Sequence, residues 1–369
     1  MKFLFQSKIQ NLRNNKICPK HIFLYIVDHF EPQVGKPTKH ISQERVVDWV
    51  NRYPSIAQKH VDSEGMHPKH SFFYPWDEYD EWEFQRICEL CKSGYGEIEI
   101  HLHHSNDTEK GLRDKLHEAK RVFKNHGALS QWDNGKTAFG FIHGNWALDN
   151  GRYTETPNHC GVNNEITILK EEGCYADFTF PAWRCIAQPR MINSIFYALD
   201  DPEKPKSYDN GRRCDTSTHQ PFNSDRDNGL LIIQGILSPC IEKQNDKLHF
   251  AMDNSELASY WTYNPRRLDR WVNAGIHVKG KPSYVFIKLH CHGASDECRN
   301  TLLGQDLDYL FTDAEMRYND GVNYILHYVT AREMFNVIKS VEANSKKDFI
   351  QRRDFLVRKC YILLISRIS

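Results

Sequence analysis

The sequence predicts an α/β fold with parallel strands, a distorted (β/α) barrel of roughly seven or eight units whose site lies at the strands' carboxyl ends. Three observations predict it. Apolar runs of strand length recur along the chain, most of them end in a polar, chemistry-bearing cluster, and helical periodicity fills the intervals. In such a fold the strand ends converge on one mouth, so clusters far apart in sequence meet there. An open doubly wound sheet is the alternative, and it too places ligands at strand ends.

Residues 22–27 (IFLYIV) run into Asp28-His29-Phe30-Glu31-Pro32. Residues 43–60 follow as a helix with Val46, Val47, Trp49 and Val50 on one side and a kink or restart at Pro54. Residues 71–74 lead into Pro75-Trp76-Asp77-Glu78. Residues 83–92 read as an amphipathic helix, so Cys88 and Cys91 are half-buried thiols rather than half of a zinc or redox site. Residues 97–100 run into His101-Leu102-His103-His104, and 106–124 form a charged helix burying Leu112, Leu116 and Val122. Residues 137–142 end in His143-Gly144-Asn145-Trp146, and 176–180 in Pro181-Ala182-Trp183.

The stretch from roughly 186 to 228 is rich in Pro, Asn, Asp, Arg and Ser and reads as a long loop or lid. Strand-like runs return at 230–233, at 284–289 before His290-Cys291-His292-Gly293, and at 324–326 before His327-Tyr328. Residues 256–272, interrupted at Pro265, read as helical. So do 331–341, where Met334, Val337, Ile338 and Val341 follow the i, i+3, i+4, i+7 spacing. Residues 1–345 therefore form one domain and 346–369 a C-terminal extension.

Equal numbers of basic and acidic residues, 48 of each, remove the general electrostatic reason to expect nucleic acid or an anionic membrane as partner. Eleven irregularly spaced cysteines, no secretory apolar segment at the start and no run of membrane-span length point to a reducing cytoplasm. In the last segment, basic residues alternate with Phe355, Leu356, Tyr361, Ile362, Leu363, Leu364 and Ile365. We read it as a packing element, with homo-oligomer formation or membrane contact as the alternatives.

Three imidazoles within four residues at a strand end are hard to explain by packing. On extended backbone His101 and His103 share a face, and His104 points away unless the chain has already turned. Imidazole is the commonest zinc ligand, which makes His29, His101, His103 and His104 the candidate ligands of one divalent metal, zinc by donor type. Asp28 follows an apolar run, where it reads as general base or ligand, with Glu31 able to orient a ligand. Beyond the last long run His290, then His292, suits a general acid, while Cys291 faces the other way. His143, Asn145 and Trp146 offer donors beside an aromatic plane, as a sugar ring requires.

At these residues the chain resembles the polysaccharide deacetylase superfamily, the NodB-like, carbohydrate esterase 4-like group, and more closely an uncharacterised bacterial branch of it. Asp28-His29, the run 97–104, Tyr175-Ala176-Asp177-Phe178-Thr179-Phe180-Pro181 and Ile287-Lys288-Leu289-His290 carry the resemblance, which spans roughly residues 20–340. It implies a distorted barrel holding one divalent metal, usually zinc. Asp28 takes the position of the catalytic base, and His29 stands where the family has a second acid that ligates metal. His101 fits the first ligand histidine, but Ser105 occupies the second position, leaving His104 or His103 to serve. Phe180-Pro181 is what remains of an Arg-Pro motif near the acetate, with Asp177 or Arg184 in its polar role, and His290 fits the general acid.

The function so implied is removal of an N-acetyl (or O-acetyl) group from a sugar or glycan intermediate that is soluble, nucleotide-linked or lipid-linked. The alternatives are C–N hydrolysis of a non-sugar substrate, a metal-free glycosidase carboxylate pair, and a non-catalytic carbohydrate-binding relative.

Overall fold

The computed structural model describes residues 19–216, 229–244 and 247–359. In chain order the first half comprises β1 (Lys20–His29), α1 (Lys39–Ala57), β2 (His70–Pro75), α2 (Glu81–Leu90), β3 (Gly96–Leu102), α3 (Glu109–Asn125), β4 (Ser130–Trp132), β5 (Thr137–His143), α4 (Glu165–Glu171) and β6 (Cys174–Asp177). There follow β7 (Ile195–Ala198), β8 (Gly211–Arg213), β9 (Leu230–Ile233), β10 (Ser238–Gln244), β11 (Lys247–Asp253), α5 (Pro265–Ala274) and β12 (Tyr284–Cys291). The chain ends with α6 (Asp296–Thr301), α7 (Leu307–Tyr318), β13 (Tyr324–Tyr328), α8 (Ala331–Glu342), α9 (Phe349–Arg352) and β14 (Val357–Lys359).

Twelve strands form one mostly parallel sheet, ordered β12-β1-β2-β3-β5-β6-β9-β7-β8, with β13 beside β1 and β4 joining β5 to β14. β10 and β11 make a separate hairpin. The parallel strands carry their polar ends on one edge, as the alternation of strands and crossovers requires. The sheet curls: Tyr25 on β1 and Phe73 on β2 both pack on Phe178, just beyond β6. Across the same inner face Lys288 on β12 donates to the carbonyls of Phe178 and Phe180. Among the described residues no ladder joins β9 to β12, although Ile236 N donates to Ser255 Oγ and Leu257 N to the His290 carbonyl between them.

Pleating sorts the side chains of each strand between two faces. On the inner face an aromatic floor of His21, Phe23, Tyr284, Phe286, His327 and Phe349 lies below Tyr25 and Lys288. Above these, in the same alternation, come Val27 opposite His290 and then His29. The outer face of β2 packs on the helices, with Phe72 against Trp49 of α1 and Tyr74 against Phe84 of α2 and Phe123 of α3. Every residue of α8 from Ala331 to Val341 is buried. A capping box of Thr330 and Glu333 starts this helix, and its Arg332 reaches Glu97 on the inner face of β3.

Several elements differ from the sequence-based expectation. α1 runs through Pro54 to Ala57 and ends within a turn, since a proline there removes one bond near the helix end. Only the part of 256–272 from Pro265 onward is helical, because proline is tolerated at the first helical position and not in mid-helix. Within the expected lid, β7 is a fully buried strand antiparallel to β9, and β8 extends the sheet from it. The rest of that stretch, from 217 on, lies outside the described residues. In the C-terminal extension α9 and β14 pack on the domain, with Arg352, Arg353 and Val357 buried. The residues beyond 359, which carry the alternative of a membrane or dimer contact, lie outside the described part. Among the described residues no helix is long and apolar enough to cross a membrane.

A pH-sensitive tie joins α1 to α7. Just past α1, His60 meets Asp308 at 3.1 Å and Glu315 at 3.4 Å. Burial disfavours its charged form, but hydrogen bonds to Glu315 and Asp308 outweigh burial and raise its pKa. A raised folded-state pKa contributes stability that is complete below the unfolded value of about 6.5 and lost as pH climbs through the folded one. The stability advantage of the native chain over His60→Gln should therefore shrink as pH rises above about 6.5. Urea melts of both proteins across that range measure it, and a constant difference would show that the tie carries no charge.

Candidate metal centre

Glu31, two residues past β1, is the hub of the inner cluster. Its Oε1 lies 3.2 Å from His101 Nε2 and 3.0 Å from His103 Nε2, and its Oε2 lies 3.0 Å from His292 Nδ1. The ligand-capable atoms of Glu31, His101 and His103 all lie within 4.8 Å of one another. His29 completes the group, its ring centre 5.0 Å from that of His101 and 4.7 Å from that of His292. His101 is wholly buried, whereas the side chains of His103 and His292 are 27% and 34% exposed, so the cluster opens to solvent on one side.

Each principal imidazole is oriented through its second nitrogen. His101 Nδ1 lies 2.9 Å from the Ile142 carbonyl, which can only accept, so in the neutral ring Nε2 offers a lone pair. His103 Nδ1 meets Asp77 Oδ2 at 3.1 Å, and its backbone N–H donates to Asp77 Oδ1 at 2.9 Å. A histidine held by a carbonyl or carboxylate on one nitrogen presents the other to a metal.

The charges are tightly coupled. Burial alone would raise the Glu31 carboxyl, but hydrogen bonds from His101, His103 and His292 hold it well below the usual range. Burial lowers His103, yet Asp77 and Glu31 on either side raise it to about 10. His29 is held neutral by burial and by the neighbouring His292 and His101. Glu78, in the loop after β2, is raised to about 7 by burial and by the charges of Glu31 and Asp77, and its buried Oε2 has no partner. Imidazoles packed around one carboxylate, with lone pairs steered inward, suit a divalent cation taking the place of protons. These residues fit a metal of oxygen and nitrogen preference.

The structure does not gather all the residues picked out in the sequence. Asp28 faces the outer layer: its Oδ2 is 2.8 Å from His70 Nε2, and its Oδ1 accepts from Gly293 N at 2.6 Å. His70 is packed on Trp49 of α1, and Cys291 lies on that same face. The physical reason is pleating, since Asp28 and His29 are adjacent on extended backbone and cannot point the same way. His290 shares the inner face but lies deeper than His292, and burial lowers it to about 3. Asp177 is wholly buried and occupied by the Thr179 N–H and hydroxyl, and burial raises it to about 7. Pro181 is buried, while Asn145 and Trp146 lie exposed in the loop after β5 and Trp183 in the loop after β6, on the same edge as the histidines.

His104 and His143 leave the inner cluster altogether. Both sit on the outer side, their rings 4.5 Å apart, with Glu165 of α4 and Cys160. Sequence reasoning passed over Asp77, Glu78, Cys160 and Glu165. The polar run after residues 71–74 was the visible signal for the first two; nothing local marks the others.

Asp77 is exposed and touches the site only through His103. Asp77→Ala should weaken metal binding by ~10–100-fold and leave the metal-free melting temperature nearly unchanged. A competition titration against a chelator, run beside thermal melts, separates these two readouts. No protein-family model matches this chain, and no curated protein matches its sequence.

Proposed function

We propose that the protein is a metal-dependent hydrolase that removes an acetyl group, most simply an N-acetyl group, from a sugar or glycan intermediate. The observation that carries this reading is the convergence of Glu31, His101 and His103 on one point at the open edge of the sheet. We read the curled sheet as a distorted barrel and this edge as its mouth.

Glu31, His101 and His103 would hold the ion, with His29 and His292 adjoining. Zinc is the ion that imidazole and carboxylate donors with an open side favour. When bound, such an ion supplies Lewis-acid activation of water and of the acyl oxygen. The chain's own residues do the rest. Glu78, with an unpartnered oxygen and within reach of the charges of Glu31 and Asp77, accepts a proton in place of Asp28, whose oxygens are committed on the far face. His292, more exposed than His290 and hydrogen-bonded to Glu31, delivers a proton to the departing amine. Trp146 and Trp183 offer apolar planes for a pyranose ring at the same edge. The resemblance to the polysaccharide deacetylase superfamily supports the substrate class.

Elemental analysis of protein purified without added metal, followed by acetate release from N-acetylated sugars, tests the proposal. Bound metal together with acetate release supports it. A metal-free protein that cannot be loaded removes the mechanism. Stoichiometric metal without hydrolysis of any acetylated sugar would leave a binding relative in its place.

A further inference from the structure

On the outer side of the sheet, four side chains from three stretches of chain point at one another. His104 follows β3, His143 ends β5, Cys160 lies in the segment before α4, and Glu165 opens α4. His104 Nε2 is 3.0 Å and His143 Nε2 3.6 Å from Glu165 Oε1, and Cys160 Sγ is 3.4 Å from Glu165 Oε2. One ligand-capable atom from each of the four lies within 4.8 Å of all the others. The residues are at most 5% exposed, and three of the four are wholly buried.

Ordinary hydrogen bonding leaves this cluster incomplete. His143 Nδ1 lies 2.6 Å from the Gly144 carbonyl, which fixes the ring proton on that side. Its Nε2, wholly buried, has no hydrogen-bond partner and faces a carboxylate oxygen that is also an acceptor. Two facing acceptors in a buried space are costly without a cation between them. The other groups are arranged as ligands. His104 Nδ1 stands 3.1 Å from Asp107 Oδ2 without a formed hydrogen bond, and its Nε2 is turned inward onto Glu165 Oε1 at 3.0 Å. Cys160 Sγ accepts from the backbone N–H groups of Asn150 and Val162 at 3.3 and 3.4 Å, bonds that a thiolate would keep, and its thiol proton points to Glu165 Oε2, where a cation would replace it.

We propose that His104, His143, Cys160 and Glu165 form a second metal site, distinct from the Glu31 centre, that takes a zinc ion in a closed, structural role. Four protein donors including a thiolate and two imidazoles match the tetrahedral preference of zinc, and the thiolate selects against magnesium and calcium. The absence of an exposed ligand separates this site from the inner one, which opens to solvent. Its function is to tie down the segment between β5 and α4, which carries Asn145 and Trp146 at the open edge. Metal binding there pins a long connection to β3 and to α4.

The full chain, stripped by chelation and reloaded with cobalt(II), tests this beside single variants. A thiolate-to-cobalt charge-transfer band in the near ultraviolet is expected in the wild type. It should vanish in Cys160→Ala and in the volume-conserving Glu165→Gln weaken or shift, while His101→Ala keeps it. Elemental analysis should find about two zinc ions per wild-type chain and about one in each of Cys160→Ala and His101→Ala. Wild-type cobalt protein lacking the band overturns the proposal, as does a folded Cys160→Ala chain that retains both ions. A single ion lost only in Cys160→Ala, with the band present, supports this site and refutes the inner one. A single ion lost only in His101→Ala, with no band, does the reverse.

Discussion

Arg332→Leu is expected to destabilise the protein by about 3–5 kcal/mol, a large fraction of any domain's stability. The guanidinium is 3% exposed and grips Glu97, with Nε 3.1–3.2 Å from its two oxygens and a terminal nitrogen 2.8 Å from Oε1. Its other terminal nitrogen donates to the carbonyls of Arg353 and Val357 at 3.0 and 2.9 Å. Burial would raise the Glu97 carboxyl, but Arg332 holds it below its ordinary value. Removing the cation leaves a buried carboxylate with the Thr330 hydroxyl at 2.7 Å, while the two carbonyls keep only the Asn336 amide, at 2.8 and 2.7 Å. The variant should then be further weakened as pH rises, since Glu97 must ionise without its partner. Urea unfolding of Arg332→Leu, Glu97→Leu and the double variant measures the coupling. The double variant should recover part of the loss, because two apolar residues leave no unpaired charge. Strict additivity of the two losses would show that the pair does not act as a unit.

His101→Ala is expected to abolish metal at the inner centre and to lower hydrolysis by ~10²-fold or more. Its ring is the wholly buried member of the cluster, anchored to the Ile142 carbonyl and facing Glu31 Oε1 at 3.2 Å. His103→Ala should cost as much in activity but less in stability, because that ring is partly exposed and held chiefly by Asp77 and Glu31. Metal titration, acetate release and thermal melts on both variants give the comparison. Full metal occupancy in His101→Ala would move the binding site elsewhere.

Much of the layout was legible because strand alternation is a strict rule. Most of the apolar runs are strands with their polar ends on one edge; the run 176–180 is the exception, since β6 closes at Asp177 and Phe178 to Phe180 lie beyond it. The same rule put His101 and His103 on one face with His104 opposed, and it turned Cys291 away from His290 and His292. Applied with equal rigour to Asp28 and His29 it separates those two as well, a consequence obscured both by the place of Asp28 after an apolar run and by the family resemblance. What the sequence did not reveal comes from the layer outside the sheet. Glu165 reaches His104 from a helix 61 residues further on, and Cys160 is one thiol among eleven. Neither carries a local pattern, because their meeting depends on how α4 packs. Glu31 was legible only as an orienting group, since a carboxylate two residues beyond a strand end has no fixed direction until the loop is built.

The first strand has a consequence for biosynthesis. β1 finds only three of its pairing positions, Val27 to His29, on β2, while Lys20 to Leu24 pair with β13 and His21 to Asp28 with β12. Its main neighbours are therefore made 263 to 304 residues later, and contacts of such high sequence separation form slowly. At a synthesis rate of roughly 5–20 residues per second, the apolar IFLYIV segment waits on the order of tens of seconds for them. Throughout that interval the nascent chain exposes an unpaired, uncharged strand of the kind that aggregates. Expression of this protein should thus be limited less by the stability of the finished fold than by how well that segment is shielded, by chaperones or by slow production in the cold, until β12 emerges.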